Sequence, residues 1–123
     1  MDTLQLSSFL HNDPHISHAG VYAADELPLR TAVPVFIIAN TDKASKPGRH
    51  WVTLFIDANR RCEYFHSYGM KPTIPSTLNF IQRNSVIWTR NNVLLQALSS
   101  KVCGQYCACF LALRARGLTM QDF

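Results

Sequence analysis

The chain has 123 residues and a formal net charge of +4, and 47% of its residues are hydrophobic while 16% are charged. That length predicts a single domain over residues 1–123 with one core. The composition excludes low-complexity, fibrous and membrane-spanning classes, because no biased tract is present and the longest apolar runs are too short to cross a bilayer.

The first part of the chain predicts a helix followed by extended segments. Residues 1–6 lack the basic and apolar regions of a signal peptide, so we expect none. Residues 4–11 have helical apolar spacing, and Asp13-Pro14 ends that helix. Residues 20–28 read as an extended piece and a turn, and the β-branched run at 33–39 is typical of a buried strand.

The middle of the chain predicts a hairpin and a helix. Residues 50–56 form a second strand, 57–59 form the hairpin tip and 62–67 form a third strand. On this third strand Cys62, Tyr64 and His66 share one face, and Glu63 lies on the other. A helix over residues 76–83 follows, with Ser76 as its N-cap.

The last part predicts two short strands at 86–89 and 93–95 and a final helix over 103–116. Arg114 and Arg116 lie in the last turn of this helix, and Gly117 suits the C′ position. The order helix, strands, helix, strands, helix indicates an α+β fold, because an alternating βαβ pattern is missing.

The cysteines indicate reduced thiols in a reducing, intracellular compartment. Cys103, Cys107 and Cys109 fall within two turns of one predicted helix, where they are poorly placed to pair with each other, and Cys62 lies far away in sequence. Cys107 shares a face with Cys103 and Cys109 does not. We expect Cys107 and Cys109 to be packing thiols.

Other charged and ligating residues predict surface positions. His11, His15 and His18 have helix-like spacing, but Asp13-Pro14 interrupts the helix, so we expect surface histidines and no metal site. The lysines and arginines are spread along the chain, which indicates a solvated basic surface. Contact with nucleic acid is the alternative interpretation, although no groove-reading motif is present.

A candidate thiol nucleophile stands at the start of the last helix. Cys103 is followed by Gly104, whose missing side chain would let a substrate carbonyl approach the N–H groups of the helix start. Gln96 offers a neutral donor to an oxyanion. His50 offers a base, and Trp51 beside it offers an aromatic shield from water.

Segments in this order resemble the adenovirus protease (adenain) family, especially the versions carried by Maverick/Polinton-type DNA transposons and related DNA viruses. The resemblance covers residues 20–110 and lies in Gly48-Arg49-His50-Trp51, Tyr64-Phe65-His66-Ser67-Tyr68-Gly69, Gln96 and Cys103-Gly104-Gln105-Tyr106-Cys107. The ordered combination is specific, whereas each motif alone is not. Proteases that cut ubiquitin-like modifiers belong to the same fold superfamily and share the order His-Trp, acid, Gln, Cys-Gly.

The resemblance implies a cysteine endopeptidase of the papain-like type, with a central sheet and the nucleophile helix packed on it. Cys103 would be the nucleophile and His50 the general base. Gln96 and the backbone N–H groups of Cys103 and Gly104 would form the oxyanion hole. The implied substrates are structural precursor proteins of a virus or mobile element, cut at glycine-rich sites, and no cofactor is implied.

The resemblance also sets expectations for partners and location. Some family members are stimulated by DNA and a short activating peptide, so these two partners are expected by resemblance alone. No membrane partner is expected. The implied location is intracellular, in the host nucleus or cytoplasm or packaged in virions.

One departure from the family pattern concerns His66, which stands where the family has an acidic residue. A carboxylate would orient the imidazole of His50 and stabilise its cation, whereas neutral His66 could accept a hydrogen bond but would add no negative charge. Glu63 and Asp57 are not obvious replacements. Three interpretations stay open: an active Cys-His-His protease, a slowed protease, or a decayed copy that only binds.

A second departure is the short segment after the nucleophile helix, which predicts either a compact minimal version or a C-terminally truncated copy. From the motif resemblance, the leading hypothesis is an endopeptidase of the adenain type. The first rival is a binding module on the same fold, and the second is a protease for ubiquitin-like modifiers.

Overall fold

The computed structural model describes residues 2–45, 50–91 and 103–122. The predicted strand at 93–95 and Gln96 lie outside these residues. In the described part, helices and strands follow in this order: α1 (Thr3–Asn12), β1 (Ala19–Tyr22), β2 (Val35–Asn40), β3 (Trp51–Ile56), β4 (Arg61–Phe65), α2 (Pro75–Asn84), β5 (Ile87–Arg90), α3 (Cys103–Ala115) and a short 3₁₀ helix (Met120–Asp122). This confirms the predicted α+β class.

The strands form one five-stranded sheet in the order β1-β2-β3-β4-β5. The central strands β2, β3 and β4 pair antiparallel, while β1 and β5 pair parallel to their neighbours at the two edges. β2 begins just after Pro34, which suits a residue that cannot donate to the ladder. All six residues of β2 are buried, as expected for a strand covered on both faces.

Helices cover both faces of the sheet. The central strands β2, β3 and β4 each contribute to the cores on both faces, because alternate residues of a strand point to opposite sides. One face carries Phe36, Ile38, Phe55 and Phe65, which pack with buried residues of α1 and α3. The other face packs with Phe80 and Ile81 of α2, and its strand residues include Val35, Ile37, Leu54, Ile56, Cys62 and Tyr64. The sheet therefore separates α3 from α2.

Helix starts agree with local sequence signals in one case and correct a prediction in another. Asp2 and Gln5 form a capping box at α1, with each side chain bonded to the other residue's backbone N–H. The prediction that Ser76 caps α2 is wrong: Ile74 is the N-cap, without a side-chain bond, and Pro75 occupies the first turn. Proline is favoured there because its missing N–H would be unpaired anyway.

The cysteines also correct one expectation. All four are free thiols; Cys62, Cys103 and Cys107 are buried, whereas Cys109 is exposed. Cys107 is thus a packing thiol and Cys109 is not, because it lies on the solvent side of α3.

No helix among the described residues has the length and hydrophobicity to span a bilayer.

Candidate active site

His50 lies directly before β3 at the end of the β2–β3 ladder. The backbone N–H of Thr41 donates to the carbonyl oxygen of His50 at 2.9 Å, one step beyond the paired residues Asn40 and Trp51. The main chain at His50 is therefore held by the sheet, and its side chain projects at the sheet's end.

Cys103 begins α3, and α3 packs against β3. The backbone N–H of Trp51 donates to Cys103 Sγ at 3.4 Å, and the cysteine is only 7% exposed. The structure thus brings the sulfur of Cys103 to the residue next to His50, although the two are 53 positions apart in the sequence. The catalytic roles of both side chains stay predictions.

The imidazole of His50 packs in a cluster with two other aromatic rings, whose own centroids lie 5.6 Å apart. Its centroid lies 4.3 Å from that of His66, with 29° between the planes, and 4.8 Å from that of Tyr68, with 20° between the planes. His50 Nε2 is buried without a hydrogen-bond partner among the described residues. Contact with the neighbouring rings therefore orients this imidazole.

His66 does not accept the hydrogen bond from His50 that was one option in the sequence interpretation. His66 Nδ1 instead accepts the backbone N–H of Tyr68 at 3.1 Å, and its ring faces that of His50. His66 is 7% exposed, so the position where the motif resemblance predicts an acid holds a buried aromatic ring. Glu63 is excluded as a replacement, because it makes a bidentate ion pair with Arg114 of α3, at 2.8 and 3.0 Å.

Burial disfavours the charged form of both histidines. Desolvation lowers the pKa of His50 below its ordinary value. Desolvation, followed by the neighbouring His50, lowers the pKa of His66 to about 4. A neutral imidazole can accept a proton from a thiol, but the same burial disfavours the imidazolium that results, and no described carboxylate contacts the pair.

The predicted oxyanion hole is only partly within the described residues. Cys103 and Gly104 are both buried at the first turn of α3, where backbone N–H groups lack helical partners. Gln96 lies outside the described residues. Cys107, one turn further, is fully buried, and desolvation raises the pKa of its thiol well above the ordinary value, which makes it a poor nucleophile.

Two further residues at this end of the sheet were not assigned a role by the sequence. Tyr68 stacks on His50, and its place in the Tyr64–Gly69 segment was the available signal. Asn91 bonds to the backbone of His66 through both side-chain atoms, at 2.8 and 2.6 Å, and nothing in the sequence singled it out. No group of three metal-ligating side chains occurs in the part of the chain that the structure describes.

Comparison with known proteins gives two likenesses. A stretch of 41 residues is 44% identical to the cysteine protease of African swine fever virus, over 31% of this chain and 15% of that protein. A crystal structure of the African swine fever virus protease superposes with a TM-score of 0.55 at 23% identity, over 69% of this chain and 35% of that one. No family model matches the chain.

These similarities show the fold of the chain, but they cover only part of the related proteins. The chain shares the α+β fold of a viral cysteine protease, with a five-stranded sheet and packed helices, as the sequence predicted. The matches span less than half of the length of either African swine fever virus protein. That this chain has the cysteine protease activity of those longer proteins is therefore a proposal.

Proposed function

We propose that the chain is a cysteine endopeptidase in which Cys103 is the nucleophile and His50 the general base. The observation that supports the proposal is the contact between Trp51 N–H and Cys103 Sγ, which places the thiol at the backbone of the residue that follows His50, across a long sequence separation. The fold of a viral cysteine protease and the 41-residue similarity support the same chemistry.

The proposed reaction uses the start of α3 and the end of β3. His50 takes the proton from Cys103, the thiolate attacks the scissile carbonyl, and His50 then protonates the leaving amine. The oxyanion that develops is stabilised by the N–H groups of Cys103 and Gly104 and by the side-chain amide of Gln96. The Trp51 N–H at the sulfur also stabilises the thiolate, since an N–H donor favours the charged form.

The proposed substrates are structural precursor proteins of a virus or mobile element, cut at glycine-rich sites inside the host cell. This narrower assignment, and the special likeness to Maverick/Polinton-type versions, rest on the motif resemblance. The same holds for stimulation by DNA or by a short peptide. The assay therefore includes peptides with a Gly-Gly site, with and without DNA, and a ubiquitin-like conjugate as the substrate of the second rival.

The first prediction is that Cys103→Ala abolishes cleavage of the Gly-Gly peptide, because the bond-forming sulfur is removed. Cys109→Ala is the matched control, since this thiol lies exposed on the same helix, and it should retain wild-type turnover. Cleavage by Cys103→Ala that equals the wild type, measured by chromatography of the products, would overturn the proposal.

Thiol labelling gives a second readout. It uses the Cys109→Ser variant, which lacks the exposed thiol that would compete for the reagent. Iodoacetamide should modify Cys103 before Cys62 or Cys107, whose thiols are buried with raised pKa values, about 12 for Cys62. Mass spectrometry of tryptic peptides gives the order. Equal labelling of all three thiols would contradict an activated Cys103.

A binding module on the same fold is the second candidate, and one observation favours it. His50 Nε2 has no described hydrogen-bond acceptor, so the imidazolium would lack the support that a carboxylate gives. This candidate predicts no turnover with any substrate or activator, and partner binding that Cys103→Ala leaves unchanged.

A further inference from the structure

The chain reverses direction just after β4 in a tight turn, His66–Gly69, which we call the histidine turn. The backbone N–H of Gly69 donates to the carbonyl oxygen of His66 at 2.7 Å, and Gly69 has φ 71°, a left-handed value that glycine adopts at little cost. His66 Nδ1 also accepts the N–H of Tyr68. The turn thus carries both rings that stack on His50.

The side chain of Asn91 holds the first residue of this turn. Its Oδ1 accepts the backbone N–H of His66 at 2.8 Å, and its Nδ2 donates to the His66 carbonyl oxygen at 2.6 Å. One amide side chain therefore pairs with the backbone donor and acceptor of one residue, as a neighbouring strand would. The Asn91 backbone N–H meets the Tyr64 carbonyl at 3.3 Å, which extends the β4–β5 pairing to this position.

A second contact joins β5 to the other end of the histidine turn. Arg90 Nη1 donates to the carbonyl oxygen of Gly69 at 3.2 Å. Asn91 and Arg90 thus hold the turn at its first and last residues. β5 itself is an edge strand whose four residues are all exposed, so it offers little apolar packing that could hold the turn in their place.

We propose that Asn91 is a positioning residue, which fixes the backbone of His66 and thereby holds the His66 and Tyr68 rings against His50. The proposal rests on the proposed peptidase function for its catalytic meaning, but its geometric part stands alone. His50 has no described hydrogen bond at Nε2, so ring stacking is what orients its imidazole. Asn91, which directly follows the edge strand β5, then sets the orientation of the His50 imidazole.

Removing Asn91 should loosen the site locally. Asn91→Ala leaves the His66 N–H without its acceptor, while the His66 carbonyl keeps the bond from Gly69. The rings would then move away from His50 and admit water. Because burial is what lowers the pKa of His50, that pKa should rise toward its ordinary value of 6.5.

The test is a titration of the imidazoles by two-bond ¹H–¹⁵N NMR in wild type, Asn91→Ala and the control Asn79→Ala, an exposed position on α2. We expect a higher pKa for His50 and changed ring shifts for His66 in Asn91→Ala, and neither change in Asn79→Ala. In the His66→Ala background most of the Asn91→Ala effect on His50 should be gone. A folded Asn91→Ala protein with wild-type His50 and His66 titrations would overturn the proposal.

Peptide cleavage gives a second, independent test of the role of Asn91. Asn91→Ala should lower kcat/KM by about 10- to 100-fold with little change in KM, because a misplaced base affects the chemical step more than binding. If wild type cleaves nothing while Asn91→Ala still shifts the His50 titration, the peptidase assignment fails and the positioning role stands. If Asn91→Ala does not fold, Asn91→Leu keeps a similar side-chain volume but can neither accept nor donate a hydrogen bond, so it takes the same comparison, with the same overturning result.

Discussion

At the scale of single residues, the candidate site is unusual in how the imidazole of His50 is oriented. A carboxylate orients a catalytic imidazole by accepting its N–H and stabilises the cation by charge. Here His66 does neither: its ring stacks on His50 at 4.3 Å, and its Nδ1 is used by the Tyr68 N–H. Where the motif resemblance predicts a directional hydrogen bond from a carboxylate, the structure has a buried aromatic contact.

We predict that His66→Asp raises kcat/KM by at least about tenfold if the rest of the site is competent. An aspartate at this position can accept the Tyr68 N–H with one oxygen, as Asx turns do, which leaves the second oxygen for His50 Nε2. The added charge should also raise the pKa of His50. Turnover of the Gly-Gly peptide and the imidazole titration measure the two effects.

His18→Asp is the matched control, since this histidine is exposed at the surface, and it should leave turnover unchanged. An inactive His66→Asp protein whose His50 pKa does rise would mean that the defect lies outside the base. That outcome would favour the binding-module interpretation.

At the scale of elements, α3 is the helix whose position decides where the thiol lies. Its middle stacks Phe110 on Phe65 of β4, with centroids 4.5 Å apart. Its last turn is tied to the sheet by Arg114 and Glu63. Beyond the helix end, Arg116 pairs with Asp13, the C-cap of α1, at 2.8 Å. These contacts fix the helix axis, and so the first residue of α3 meets the start of β3.

The end of α3 yields a stability prediction. Gly117 has φ 92° at the C′ position, with its N–H bonded to Arg114 O and the Leu118 N–H bonded to Leu113 O, the pattern of a Schellman motif. Gly117→Ala should destabilise the protein by about 1 kcal/mol, because only the backbone conformation is penalised. A Cβ there would meet nothing within 4 Å, so no clash adds to that cost.

Urea unfolding measures this change as a lower midpoint at constant slope. Gly117→Asn should fall between alanine and glycine, since asparagine tolerates the left-handed region better than alanine does. If alanine proved as stable as glycine, the helix end in solution would not adopt this conformation.

At the scale of the whole molecule, folding buries the imidazole of His66 and half-buries that of His50, and this makes folding sensitive to pH. Below pH 6.5 the unfolded chain protonates both groups, whereas the folded protein keeps His66 neutral down to about pH 4. The unfolded state then binds more protons, so folding stability must fall as the pH drops through this window.

We predict that the unfolding free energy decreases from pH 6.5 to about pH 4, with His66 contributing at most about 1.4 kcal/mol per pH unit. His66→Asn should reduce that slope, because it removes one of the two protonation sites. Urea titrations at several pH values measure the slope, with His18→Asn as the surface control. A slope that is identical in wild type and His66→Asn would show that His66 is not kept neutral by the fold.

Most of the elements could be predicted from the sequence, because their signals are local. The β-branched run before Asn40, the Asp13-Pro14 stop of α1 and the left-handed glycine after α3 all act within a few residues. Two expectations failed for different reasons. Ser76 does not cap α2 because the helix begins at Pro75, which is itself a local signal for a helix start. Cys109 is exposed because of how α3 turns on the sheet, which no local pattern encodes.

By itself the sequence determined the α+β class and the absence of pairing among its cysteines, since periodicity and spacing carry that information, and it singled out Cys103, His50 and Gln96 as candidates. Only the tertiary structure decided how they meet: that Cys103 lies at the Trp51 N–H, that His66 stacks on His50 instead of bonding to it, and that Asn91 holds His66. These contacts join residues 16 to 52 positions apart. The sheet register and the seating of α3 set such contacts, and no local sequence pattern encodes either of them.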